Sequence, residues 1–98
     1  MRMVLKATMD TERASDAIQD GTMGQALQGV MEQLKPEAAY FYPEDGKRTA
    51  FIVFDLEDPS QLPPLTEPFF RTAAENVRMA PAMTIDDLRA GLQEVQGG

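Results

Sequence analysis

Residues 38–58 read AAYFYPEDGKRTAFIVFDLED, two apolar runs around an acidic turn. Asp45-Gly46 decides the reading. An Asp-Gly pair suits a type I′ turn, in which both central residues take positive φ and the twist matches that of paired strands. With these two residues as the loop, Glu44 faces Lys47, Tyr42 faces Thr49, Phe41 faces Ala50, Tyr40 faces Phe51 and Ala39 faces Ile52. Side chains alternate along a strand. One face of the hairpin therefore carries Ala39, Phe41, Ala50, Ile52 and Phe54. The other carries Tyr40, Tyr42, Thr49, Phe51, Val53 and Asp55. Both are substantially apolar, unlike a hairpin that is wet on one side. The charges Glu44, Asp45, Lys47 and Arg48 read as a solvated turn.

Upstream, RMVLKATM (2–9) alternates as a strand, with Met3, Leu5, Ala7 and Met9 on one side. Asp10 or Thr11 caps a helix that stops at Gly21. A second helix starts near Thr22, and Met23, Ala26, Leu27, Val30, Met31 and Leu34 form its apolar stripe. Gly24 and Gly29 weaken it and would let it approach a sheet closely. Lys35-Pro36 ends it. Downstream, Asp58 or Ser60 caps a short, irregular helix. Pro63, Pro64 and Pro68 argue against a long regular one before about residue 65. NVRMAPAM (76–83) alternates again, and Pro81 marks an edge strand or a strand end. Thr84 and Asp87 resemble a capping box for a last helix with the stripe Ile85, Leu88, Leu92 and Val95.

The element order is strand, helix, strand, strand, helix, strand, helix. This predicts an α+β, ferredoxin-like βαββαβ domain with an extra C-terminal helix. Residues 1–96 would form that one domain, with 97–98 a frayed tail. The antiparallel sheet of four strands would run in spatial order 4-1-3-2, helices covering one face. Its core side would hold Met3, Leu5, Ala7, Ala39, Phe41, Ala50, Ile52, Phe54, Val77 and Met79. The outer face would show Val4, Lys6, Tyr40, Tyr42, Phe51, Val53, Asp55 and Arg78, an apolar patch that monomers rarely leave in water. A homodimer through this open sheet face is the expectation.

Composition narrows the chemistry. A formal charge of −7 repels nucleic acid and anionic membrane surfaces. No apolar run is long enough to span a bilayer, and the N-terminal MRMVLKATMD reads as a strand and not a signal peptide, so a cytoplasmic location is expected. Cysteine and histidine are both absent. Disulfides, thiolate nucleophiles, Cys/His zinc sites and Ser-His-Asp arrangements are thereby excluded. No metal site and no cofactor is predicted.

Three segments, MRMVLKATM (1–9), KPEAAYFYPEDGKRTAFIVFDLEDPSQLP (35–63) and PAMTIDDLRAGL (81–92), resemble a family of small, uncharacterised bacterial proteins. That family is similar to the dimeric α+β barrel superfamily. The resemblance implies the fold and a dimer but names no activity. Superfamily relatives include cofactor-independent monooxygenases, muconolactone isomerase-like enzymes, polyketide cyclases and plain ligand-binding or regulatory domains. Several of those enzymes rely on histidine, which this chain lacks.

Three candidate sites follow from the residues. Small side chains at Ala7, Ala39 and Ala50 would leave room under the helices for an apolar ligand, with Met31, Phe41, Phe54 and Phe69 lining it beside Met23 and Leu27. Tyr40 and Tyr42 beside Lys6 and Arg78 on the outer face would offer a phenol and cations to a developing enolate or phenolate. Glu67, in an irregular apolar stretch, would serve as a base. Two functional readings stand. One is a dimeric small-molecule-binding protein that acts on an aromatic or polyketide-like compound as a cofactor-free cyclase, isomerase or monooxygenase. The other is a non-catalytic dimerisation or protein-interaction domain.

Overall fold

The structure is a computed structural model and describes residues 1–97. It contains β1 (Arg2–Met9), α1 (Thr11–Asp20), α2 (Thr22–Leu34), β2 (Ala38–Glu44), β3 (Lys47–Asp55), α3 (Leu62–Thr72), β4 (Ala74–Pro81) and α4 (Ile85–Gly97), with a 3-10 turn at Pro59–Gln61. The strands form one antiparallel sheet in the order β2-β3-β1-β4, as the element order predicts.

The hairpin forms as the Asp-Gly pair dictates. Asp45 and Gly46 both take positive φ, 54° and 77°, and Glu44 pairs with Lys47. The remaining pairs, from Tyr42 with Thr49 to Ala39 with Ile52, keep the register set by that turn.

Local signals place the helices. Asp10 accepts the Arg13 N–H at 2.9 Å and so caps α1. Gly21, at φ 85°, closes α1 and lets the chain turn directly into α2. α3 begins at Leu62, earlier than the prolines suggested. Pro63 and Pro64 sit in its first turn, where their missing N–H groups have no helical partner to lose. Asp58 and Gln61 form the capping box just ahead of it.

Core and helix layer lie on one side of the sheet. Met3, Leu5, Ala7, Ala50, Ile52 and Phe54 are buried there against Leu65 and Phe69 of α3 and Val30 of α2. The expected core side needs correction at the sheet edges. Ala39, Val77 and Met79 are only half-buried, and Phe41 is 53% exposed. The reason is layering: α2 packs on α1 and α3, while β2 is held chiefly by β3 and has no helix close above it. Gly24 and Gly29 mediate no close approach, since a Cβ at either would meet nothing within 4 Å. α4 follows its capping box but covers no face of the sheet. It runs to Gly97, taking in the first residue of the expected frayed tail, and Gly98 lies outside the described residues.

Candidate functional site

The gap above β2 is the most site-like feature. Where α1 meets α2, the helices stand off the hairpin and leave an open groove of about 370 Å³. This falls within the range of roughly 300–1,000 Å³ typical of small-molecule pockets. Met9, Ile18, Met23, Leu27 and Phe41 form its walls, and Arg48 is the one charged side chain lining it. Strand alternation explains both Phe41 and Arg48. Each lies on the helix side of the hairpin, Phe41 opposite Ala50 and Arg48 opposite Pro43. The Arg48 guanidinium donates to the Ser15 hydroxyl of α1 at 3.5 Å. A flexible apolar wall with one cation suits an apolar body that carries an anionic group.

The residues expected to line an enclosed pocket under the helices have separated. Ala7, Ala50, Phe54 and Phe69 are buried in the packed core. Met31 and Ala39 are half-buried against it. The space between α2 and α3, bordered by Met23, Leu27 and Phe69, is about 10 Å³, room for at most one water. Of that set, Phe41 lines the groove, with Met23 and Leu27 beside it.

On the outer face the sheet registers build one transverse row: Tyr40, Phe51, Lys6, Arg78. Three strand spacings put Tyr40 and Arg78 about 14 Å apart. The phenol nearest a cation is instead that of Tyr42. Its hydroxyl donates to Glu44 Oε1 at 3.5 Å, and Glu44 Oε2 pairs with Lys6 Nζ at 2.5 Å. The hydrogen bond that it donates to Glu44 holds the Lys6 ammonium above its ordinary pKa, against desolvation and the nearby Arg78. Lys47 pairs with Glu75 beside them. Half of this face is thus a charged depression of about 260 Å³. The other half, from Val4 and Val53 to Tyr40 and Phe51, is apolar.

Four of the five candidate acid–base residues, Lys6, Tyr40, Tyr42 and Arg78, therefore share the outer face. Glu67 does not join them. It sits exposed on α3, across the sheet, and faces Arg71 at 3.9 Å one helical turn on. Tyr42 borders the groove, yet its hydroxyl is turned to Glu44. Among the described residues no three carboxylates gather as a metal site, and no helix is long and apolar enough to cross a membrane.

Met9, Ile18 and Arg48 were missed as groove residues. Arg48 had a signal: it shares strand parity with Ala50 and Ile52, so the register alone places a cation on the helix side of the sheet. Ile18 had none, because its exposure depends on where α1 stops relative to β2. No protein-family model matches the chain, and no curated protein matches it.

Proposed function

We propose that this protein is a homodimeric small-molecule-binding protein of the dimeric α+β barrel kind, taking an apolar, aromatic-bodied anion in the groove above β2. The groove carries the reading: an apolar trough of about 370 Å³ with Arg48 as its charged lining. Binding is favoured over turnover. The phenol and cations suited to enolate chemistry sit across the sheet, and Lys6 is neutralised by Glu44. The homodimer rests on the outer face, where Tyr40 is 63% exposed beside the half-buried Val4, Phe51 and Val53. The reading places the protein in the cytoplasm, where a chain without cysteine needs no oxidising environment.

1-Naphthoate and its neutral analogue 1-naphthalenemethanol test the groove by NMR titration. Naphthoate is expected to shift the amides around Phe41, Leu27 and Arg48 and to bind more tightly than the alcohol. Arg48→Met removes one charge-assisted contact at an exposed site and should cost about tenfold for naphthoate alone. Leu27→Trp fills the trough and should weaken both ligands. Shifts scattered over the surface, or affinities indifferent to both substitutions, would overturn the groove as a site.

A further inference from the structure

The charged depression on the outer sheet face has a chemistry that the groove above β2 does not use. Two ion pairs bridge strands there. Lys6 on β1 reaches over β3 to Glu44 Oε2 on β2, at 2.5 Å, and Lys47 on β3 reaches over β1 to Glu75 on β4. These pairs border a space of about 260 Å³ together with Thr8, Asn76 and Arg78. Arg78 is the base left over. It stands directly opposite Lys6 in the β1–β4 register, a placement of like charges that destabilises a sheet. Lys6 is taken up by Glu44, two strands away from Arg78. Arg78 belongs to none of the ion pairs among the described residues.

A β-bulge completes the lining. Asn76 pairs with Thr8 but Ala74 pairs with Met9, so Glu75 is an extra residue in β4. Strict alternation would put Glu75 on the helix side with Val77. The bulge frees it to meet Lys47 on the outer face. Bulges are enriched beside active sites, where they re-aim a side chain. Thr8 and Asn76, opposite each other in the register, add a hydroxyl and an amide to the same space.

These groups select a ligand unlike that of the groove. A guanidinium without an acid partner takes an oxyanion through two parallel N–H bonds. Glu44, Asp45 and Glu75 border the same space and repel further negative charge, which favours the single charge of a carboxylate over that of a phosphate. Carboxylates only accept hydrogen bonds and have about four acceptor sites each, so Glu44 and Glu75 keep capacity for hydroxyl donors beyond their ion pairs. Glu75 precedes Arg78 by three residues, roughly 10 Å along β4, a span that these side chains close around a hexose-sized molecule. The volume lies just under the roughly 300 Å³ at which ordinary ligand pockets begin, which suits a small molecule. We propose that this depression binds a small polyhydroxylated monocarboxylate, of the sugar-acid class, with Arg78 on its carboxylate and Glu75, Thr8 and Asn76 on its hydroxyls. The lining comes from one chain and lies beside the apolar half of the face, so the site depends on neither the groove nor the homodimer.

NMR titration of the full chain with D-glucuronate, D-glucose, acetate and inorganic phosphate tests the site. Glucuronate is expected to shift the amides of Lys6, Thr8, Asn76 and Arg78. It should bind about tenfold more tightly than glucose, which lacks the charge, or acetate, which lacks the hydroxyls. Arg78→Met should weaken glucuronate about tenfold and leave 1-naphthoate in the groove unchanged. Asn76→Ala should weaken glucuronate by about fivefold. Both residues are exposed, so urea unfolding of either variant should match the wild type. Acetate or phosphate binding as tightly as glucuronate overturns the ligand class. Shifts away from these residues, or an affinity indifferent to Arg78→Met, overturn the site. Glucuronate bound here with no naphthoate in the groove would refute the groove alone, and the reverse result would refute this site alone.

Discussion

Tyr40→Ala separates the two roles that the outer face has been given, interface and phenol donor. A tyrosine side chain offers roughly 200 Å² of surface. Tyr40 is 63% exposed, which leaves about 125 Å² for a partner to cover. At about 25 cal/mol per Å², full coverage is worth about 3 kcal/mol per protomer. Half coverage gives about 1.5 kcal/mol, and twofold symmetry counts it twice. The variant should therefore lose about 3 kcal/mol per dimer, roughly a hundredfold in dissociation constant. Monomer stability should fall by no more than about 2 kcal/mol, since the remaining ~75 Å² is all that the side chain buries within its own chain. Tyr40→Phe keeps the ring and should match the wild type within about 0.5 kcal/mol. Sedimentation equilibrium gives the dissociation constants, and urea unfolding checks the monomer. An unchanged constant for Tyr40→Ala refutes the interface argument. A Tyr40→Phe defect as large as that of Tyr40→Ala refutes the claim that ring area, and not the hydroxyl, is what matters.

Two further outcomes follow from the core and from the last helix. Ile52 is fully buried, so Ile52→Ala should cost about 2–5 kcal/mol in chemical denaturation; a loss under about 1 kcal/mol would mean that the core collapses around the void. Hydrogen bonds from Thr84 hold the Asp87 carboxyl below its ordinary pKa of 3.8. A depressed folded pKa stabilises the helix above the unfolded value and is lost as pH falls through the folded one. The NMR helical shifts of α4 should therefore decline below pH 3.8, and the decline should vanish in Asp87→Asn; equal acid sensitivity in both chains would sink the capping argument.

Legibility differed between site and scaffold for a physical reason. Asp45-Gly46 fixed a local geometry, and one turn sets the register of every pair in its hairpin. Tyr40, Tyr42, Lys6 and Arg78 could thus be placed on one face from alternation alone. Their contacts could not: Glu44 follows Tyr42 by two residues on β2, yet it reaches Lys6 on β1 across β3, a relation between strands far apart in the sequence. Glu67 was misleading in the other direction. The prolines around it suggested irregular backbone, yet the helix tolerates them, and Glu67 becomes an ordinary exposed residue beside Arg71.

The expected pocket failed where volume had to be judged. Alanines on facing strands look like missing volume in a sequence. In the fold, α3 drops Leu65 and Phe69 into that space, and close packing fills it. The room reappears above β2, where Phe41 and Arg48 were already on the correct side of the strand but nothing local said that no helix would cover them.

What the sequence determined by itself is whatever depends on neighbours along the chain: the strand period, the caps at Asp10 and Thr84, the turn at Asp45-Gly46 and the heptad-like stripe of α4. What only the tertiary structure decided is which of those faces is covered. That outcome depends on the offset between layers, with α2 resting on α1 and α3 and α4 resting on neither layer, and offsets are fixed by long-range packing that no local pattern encodes.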